Sequence, residues 1–88
     1  MTVEADVERY LTKRVKELGG EVRKVAWPGR RHAPDRLVLL PMRAFFVELK
    51  RPGEKPRAGQ YREHRRLEGA GLIVMVIDRF DAVDAVLC

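Results

Sequence analysis

Three side chains in this 88-residue chain are of the types and spacing that could work together chemically: Asp35, Glu48 and Lys50. Asp35 follows Pro34 and opens a candidate strand over residues 36–40, Arg-Leu-Val-Leu-Leu. Glu48 and Lys50 close the next, residues 44–50, Ala-Phe-Phe-Val-Glu-Leu-Lys. Successive side chains on a strand point to opposite faces, so Glu48 and Lys50 share a face and Leu49 lies on the other. The link between the strands is Leu40-Pro41-Met42-Arg43. A two-residue primed turn needs positive φ, which Pro41 cannot adopt and Met42 resists. The spacing therefore predicts a four-residue loop closed by Leu39 and Ala44. That register sets Asp35 opposite Glu48, where Cβ atoms stand about 4.5–5.5 Å apart. Two carboxylates that close repel each other unless a cation neutralises them. Lys50 is one candidate and a divalent metal ion is the other. An ion held there would acidify a bound water, and a neighbouring ammonium could orient or deprotonate it.

The elements that must position these residues follow from periodicity. Val3, Val7, Leu11, Val15 and Leu18 recur at helical spacing and predict a first helix over about Thr2 to Leu18. Thr2 suits its N-cap, Glu4 and Asp6 suit its positive start, and Gly19-Gly20 ends it. Glu4 and Glu8 are four residues apart and flank the apolar stripe. Residues 21–25 alternate and read as a first strand. The stretch from Trp27 through Pro28, Gly29, Arg30 and Arg31 to His32 is a loop. Its two arginines could grip phosphates, or stand in solvent while Trp27 packs on the core edge. After Lys50, residues 51–57 form a second Pro- and Gly-rich loop, whose Arg51, Lys55 and Arg57 widen a basic rim. A second helix spans about Ala58 to Ala70, with Gln60, His64 and Leu67 on its inward face and Arg62, Arg65 and Arg66 on the opposite, solvated one. A polar inward residue near the end of the Glu48–Lys50 strand marks Gln60 as functional. Residues 72–77 are continuously apolar, as in a strand covered on both faces, and the helix before them predicts a right-handed crossover to a parallel pairing. Asp78 reads as the cap of a last short helix carrying Phe80, Val83, Val86 and Leu87.

Composition narrows the class of protein. The length predicts one domain over residues 1–88. A net charge of +5 favours a polyanionic partner. The single cysteine is Cys88, which leaves no disulfide framework and no cysteine-based zinc site, and this fits a reducing cytoplasm. No apolar run approaches membrane-spanning length, and the N-terminus lacks a signal-peptide pattern.

Several strings sharpen this picture. They are residues 28–31, Pro-Gly-Arg-Arg; residues 34–41, Pro-Asp-Arg-Leu-Val-Leu-Leu-Pro; residues 46–56, Phe-Val-Glu-Leu-Lys-Arg-Pro-Gly-Glu-Lys-Pro; and Gln60 beyond. Together they resemble the VRR-NUC family of the PD-(D/E)xK nuclease superfamily, in its stand-alone, virus-type form. The likeness runs from the first helix to the strand near Ile77. It departs at His32, where family members usually carry glycine two residues before the Pro-Asp pair. The resemblance implies a restriction-endonuclease-like α/β core, a mixed four-stranded sheet with flanking helices in the order αβββαβα. It implies an endonuclease that hydrolyses DNA phosphodiester bonds with Mg²⁺ or Mn²⁺. Asp35 and Glu48 would hold the ion with the backbone carbonyl of Leu49. A third carboxylate would come from the first helix, Glu8 by its distance from the terminating glycine, with Glu4 as the fallback. Lys50 would orient or deprotonate the attacking water or stabilise developing charge, and Gln60 would hold Lys50 or the water. Arg30, Arg31, Arg51, Lys55 and Arg57 would contact DNA.

Small stand-alone proteins of this kind resemble Holliday junction resolvases, which implies a homodimer on branched DNA. Pairing would also bury apolar surface that a domain this small exposes, with the first and last helices as candidates. The alternatives are a non-catalytic DNA-binding module that kept the fold, and a nuclease for flaps or DNA ends. The reading places the protein in the cytoplasm and admits a virus-encoded origin.

Overall fold

A computed structural model describes residues 3–88. The elements are α1 (Glu4–Glu17), β1 (Glu21–Lys24), β2 (Arg36–Leu40), β3 (Arg43–Leu49), α2 (Ala58–Gly69), β4 (Val74–Ile77) and α3 (Phe80–Leu87), which is the expected αβββαβα order. The Thr2 cap expected from sequence lies outside the described residues. Val3 occupies the N-cap position of α1, and its N–H donates to the Asp6 carboxylate at 3.1 Å. No helix among the described residues is long and apolar enough to cross a membrane.

The sheet runs in the order β1-β2-β3-β4. The first two pairings are antiparallel and β3 pairs parallel with β4. Alternation along the strands sorts their side chains. Val38 of β2 and Phe45, Val47 and Leu49 of β3 join Val7, Leu11 and Val15 of α1, and Val83 and Leu87 of α3, in one buried cluster. The α1 stripe therefore does what its 3.6-residue period predicts. Gly20 allows the chain to turn tightly from α1 into β1, since a Cβ there would sit 2.3 Å from the Leu39 carbonyl oxygen. The other face of β3 carries Phe46 and Glu48, and α2 lies over it through Gln60 and His64.

Three expectations are corrected. The β2–β3 register is as predicted, with Leu39 facing Ala44, but the ladder continues to a Leu40–Arg43 pair. Pro41 and Met42 alone make the turn, and Met42 accepts a φ of +63°. Pro41 suits the first central position of a type II turn, which asks for positive φ only at the second. The extra ladder pair offsets the strain at Met42. Second, β4 is an edge strand whose cover is incomplete: α2 and α3 both touch it, but Val76 is exposed, as are Leu72 and Ile73 just before it. Third, Asp78 does not cap α3. Arg79 holds the N-cap position, and the Asp78 carboxylate accepts the Gly53 N–H at 2.9 Å, tying down the loop that follows β3. The apolar stripes of α1 and α3 pack on each other and on the sheet as part of the core of one chain, while Phe80 stays exposed.

Candidate active site

Asp35 sits one residue before β2. Its carbonyl accepts the Val25 N–H at 3.1 Å and the Arg36 guanidinium at 2.9 Å, and its carboxylate accepts the Leu49 N–H at 2.7 Å. Pro34 before it is fully buried. The aspartate is thus pinned at both backbone and side chain against the end of β3. Extending the β2–β3 register by one pair sets it across from Glu48, since Arg36 faces Val47.

Glu48 is the unusual residue of the fold, a carboxyl only 1% exposed. Gln60 Nε2 donates to its Oε2 at 3.1 Å, Lys50 Nζ stands 3.6 Å from the same oxygen, and His64 Nε2 lies 3.4 Å from Oε1. Burial pushes the Glu48 carboxyl up to about 8, the Asp35 carboxylate beside it adds to the push, and Lys50 pulls the other way. His64 is shifted in the opposite sense, burial holding its imidazole below the usual range and hence neutral. Lys50 is fixed by its N–H bond to the Ile77 carbonyl at 3.0 Å, and only 11% of its side chain is exposed. The result is two facing carboxyls, one ammonium and one neutral imidazole at the ends of β2 and β3, roofed by the first turns of α2.

Gln60 works differently from the expectation. It holds Glu48, while its own Oε1 accepts the Arg57 N–H at 2.8 Å and so closes the N-terminus of α2. Glu8 lies elsewhere. Its carboxylate pairs with Arg36 at 3.0 Å, and Arg36 in turn donates to the Asp35 carbonyl. The link from α1 to the site therefore runs through a guanidinium. Glu4 is exposed on α1. Among the described residues no three acidic, histidine or cysteine side chains stand close enough together to hold one metal ion. The donors that do converge, Asp35 and Glu48, are oxygens, and the Asp35 carboxylate raises the cost of ionising Glu48. That set suits a hard divalent cation.

Around this centre, Arg51, Lys55 and Arg57 are exposed as expected. Arg30 and Arg31 are exposed too, and Arg30 pairs with Glu63. His32 takes φ +68°, the left-handed region that favours glycine. Its ring lies flat on α2, so that a Cβ at Gly59 would be 2.4 Å from His32 Nε2. The position asks for glycine by its backbone, and the imidazole is accommodated by a glycine opposite it.

Two residues escaped the sequence reading. His64 was recognised as inward-facing but not as a partner of Glu48; it lies four residues after Gln60, one helical turn on, which was the available signal. Glu63 gave less warning. It is 4% exposed and receives the Trp27 indole N–H at 2.9 Å and the guanidiniums of Arg30 and Arg66 at 2.9 and 2.8 Å. These donors hold its carboxyl far below the usual range. Trp27 also meets Phe46 edge-on, so it packs at the core edge.

A mixed sheet with a carboxylate pair and a lysine at its strand ends, in this element order, defines a restriction-endonuclease-like nuclease core. No family model matches the chain. A solved VRR-NUC domain superposes with a TM-score of 0.90 at 42% identity, over 99% of this chain and 96% of that one. The chain is also 48% identical over 79 residues to "Putative nuclease p44" of Acyrthosiphon pisum secondary endosymbiont phage 1, spanning 89% of this chain and 85% of that protein. It belongs to the VRR-NUC family of nuclease domains.

Proposed function

We propose that residues 1–88 act as one nuclease domain that cuts DNA endonucleolytically with Mg²⁺ or Mn²⁺, selectively at branched structures such as Holliday junctions. The observation that carries the reading is the buried Glu48 carboxyl facing Asp35 with Lys50 3.6 Å away. A stability-driven fold has little use for two adjacent carboxyls in a low-dielectric setting, one of them pushed up to about 8. The residues that would hold the ion are Asp35, Glu48 and the carbonyl of Leu49, with Glu8 as the third carboxylate on rearrangement of its Arg36 pair. When bound, the ion supplies Lewis-acid polarisation of a phosphoryl oxygen and acidifies a water.

The chain's own groups do the rest. Lys50 presents its ammonium on the same face as Glu48, where it orients the attacking water and stabilises charge developing on the phosphoryl oxygens. Gln60 and His64 fix the Glu48 carboxyl across from Asp35. The basic rim of Arg31, Arg51, Lys55 and Arg57 supplies phosphate contacts. Two symmetric cuts at a junction need two sites in fixed relation, which a homodimer would provide. Support for that assembly comes from the unpaired edge of β4 and from the exposed Leu72 and Ile73 that lead into it. The proposed setting is the cytoplasm of a host cell, a reading supported by the phage origin of its relative.

Labelled four-way junction, flap, duplex and single-stranded DNA incubated with the protein, with and without Mg²⁺ or Mn²⁺, tests the reading. Paired nicks in opposed arms of the junction are expected, from a protein that sediments as a dimer at micromolar concentration. Preference for flaps or single strands, or a monomer, would contradict the junction assignment. DNA binding without cutting would identify a non-catalytic module.

A further inference from the structure

The flank of α2 beside the site carries more positive charge than the site employs. A cavity of about 740 Å³ lies between the Arg30–His32 loop and this helix. Arg30, Arg31, Arg62, Arg65 and Arg66 line it, with Glu63 as the one carboxylate in its wall. Glu63 is fully engaged by Arg30, Arg66 and Trp27. Arg31, Arg62 and Arg65 have no ion-pair partner among the described residues. Glu63 offsets the charge of Arg30 and Arg66, and among the described residues no carboxylate pairs with the other three guanidiniums. A planar, permanently charged, forked donor is the side chain best matched to phosphate oxygens.

Position and length say which phosphates. Gly59 and Glu63, in the cavity wall, immediately precede Gln60 and His64, which hold Glu48. One residue is about 100° around a helix, so Gly59 and Glu63 stand beside the face that holds Glu48 while Arg62 and Arg65 lie farther round, and the cleft leads away from the catalytic carboxyls. From Arg62 to Arg66 the helix rises by about 6 Å, close to the axial rise of about two successive phosphates on one B-form strand, and Arg31 on the facing loop adds a third guanidinium. A single phosphate or a free nucleotide would leave part of that row unmatched.

We propose that this cleft grips the DNA backbone beyond the scissile phosphate, with Arg31, Arg62 and Arg65 each taking a phosphate. Glu63 is the positioning residue that fixes Arg30 and Arg66 as the cleft's walls. The inference rests on the nuclease reading above and adds where the uncut stretch of the substrate lies. It changes the role of Arg62 and Arg65, which their helical spacing had assigned to solvent.

The test compares the parent with an R31A/R62A/R65A variant and with an equal-charge control, R9A/K13A/K16A, on the exposed face of α1. Affinity for labelled duplex and junction DNA is measured in EDTA across salt concentrations, after thermal melts confirm that all three proteins fold. Each phosphate contact contributes about 0.9 to the slope of log affinity against log salt, so the cleft variant should be shallower by about 2.7. Between 50 and 200 mM salt the parent should then lose about 40-fold more affinity than the cleft variant. The control should keep the parent's slope. A cleft variant with the parent's slope, or a control that loses as much, would overturn the proposal. Binding is read on uncut DNA, so a parent that cuts nothing would sink the nuclease reading without touching the slope. A parent that cuts, paired with an unchanged slope in the variant, would sink the cleft alone.

Discussion

Replacing Glu48 with Gln should stabilise the metal-free protein at alkaline pH while removing cleavage. Glu48 is buried and its carboxyl is pushed from the usual 4.5 up to about 8, so the folded chain binds that proton more tightly than the unfolded chain. Its contribution to stability is complete below pH 4.5 and is lost as pH rises towards about 8. His64 works in the opposite direction. Burial holds its folded pKa below 6.5, so its stability contribution is present above 6.5 and lost as pH falls through its folded value. Between pH 6.5 and 8 the remaining slope belongs to Glu48. At about 1.4 kcal/mol for each tenfold change in proton concentration, the parent should lose roughly 2 kcal/mol across that window. Glu48→Gln keeps an oxygen for Gln60 and carries no titrating proton, so its stability should stay level there. Urea unfolding followed by circular dichroism in EDTA reads the difference. With a slope of about 1–2 kcal/mol per molar urea for a chain of this size, the parent's midpoint should fall by about 1–2 M while the variant's holds. Parallel decline of the two proteins would refute the reasoning, because it would mean that Glu48 does not hold its proton in the fold.

Lys50→Ala should lose turnover by at least about a hundredfold while Mn²⁺ still binds, because Lys50 is not an ion ligand in this scheme; calorimetry showing equal loss of Mn²⁺ binding would contradict its role. Glu8→Gln should slow cleavage far more than Glu4→Gln, since Glu8 reaches Asp35 through Arg36 whereas Glu4 is exposed; the reverse ranking in initial rates would move the third carboxylate to Glu4. Glu63→Gln should cost about 2 kcal/mol at neutral pH by weakening charge-assisted bonds to Arg30 and Arg66. Because that carboxyl is held low, its stabilisation is present above pH 4.5 and lost on acidification below it, so thermal melts of parent and variant should converge towards pH 2.

The central pairing was legible because it depended on arithmetic. Once Leu39 faces Ala44, alternation alone carries Asp35 to Glu48, and misjudging the turn at Pro41-Met42 did not alter that sum. The turn itself was misjudged because local φ preference at Met42 is weaker than one more ladder pair. The helices were legible from their stripes, whereas β4 was not. An apolar run looks the same at the edge of a sheet as in its middle, and only the fold shows that β4 is the edge and that α2 leaves Val76 exposed. Asp78 has the residue type of a cap, but its partner, Gly53, lies 25 residues earlier in a loop. Glu63 was the hardest to see. Its i+3 neighbour Arg66 was visible, but Trp27 and Arg30 are 36 and 33 residues away, and no local period betrays such partners. The expectation of Glu8 beside the pair came from resemblance, and the geometry routes it through Arg36, a residue with no assigned role in the sequence reading.

The most direct test of the account is cleavage of a labelled four-way junction by the parent and by Asp35→Ala, at protein concentrations giving matched DNA occupancy, with Mn²⁺ present and then chelated. The account predicts metal-dependent cutting by the parent, none by Asp35→Ala, and undiminished DNA binding by both. Cutting by Asp35→Ala at the parent's rate, or cutting by the parent that survives chelation, would contradict it.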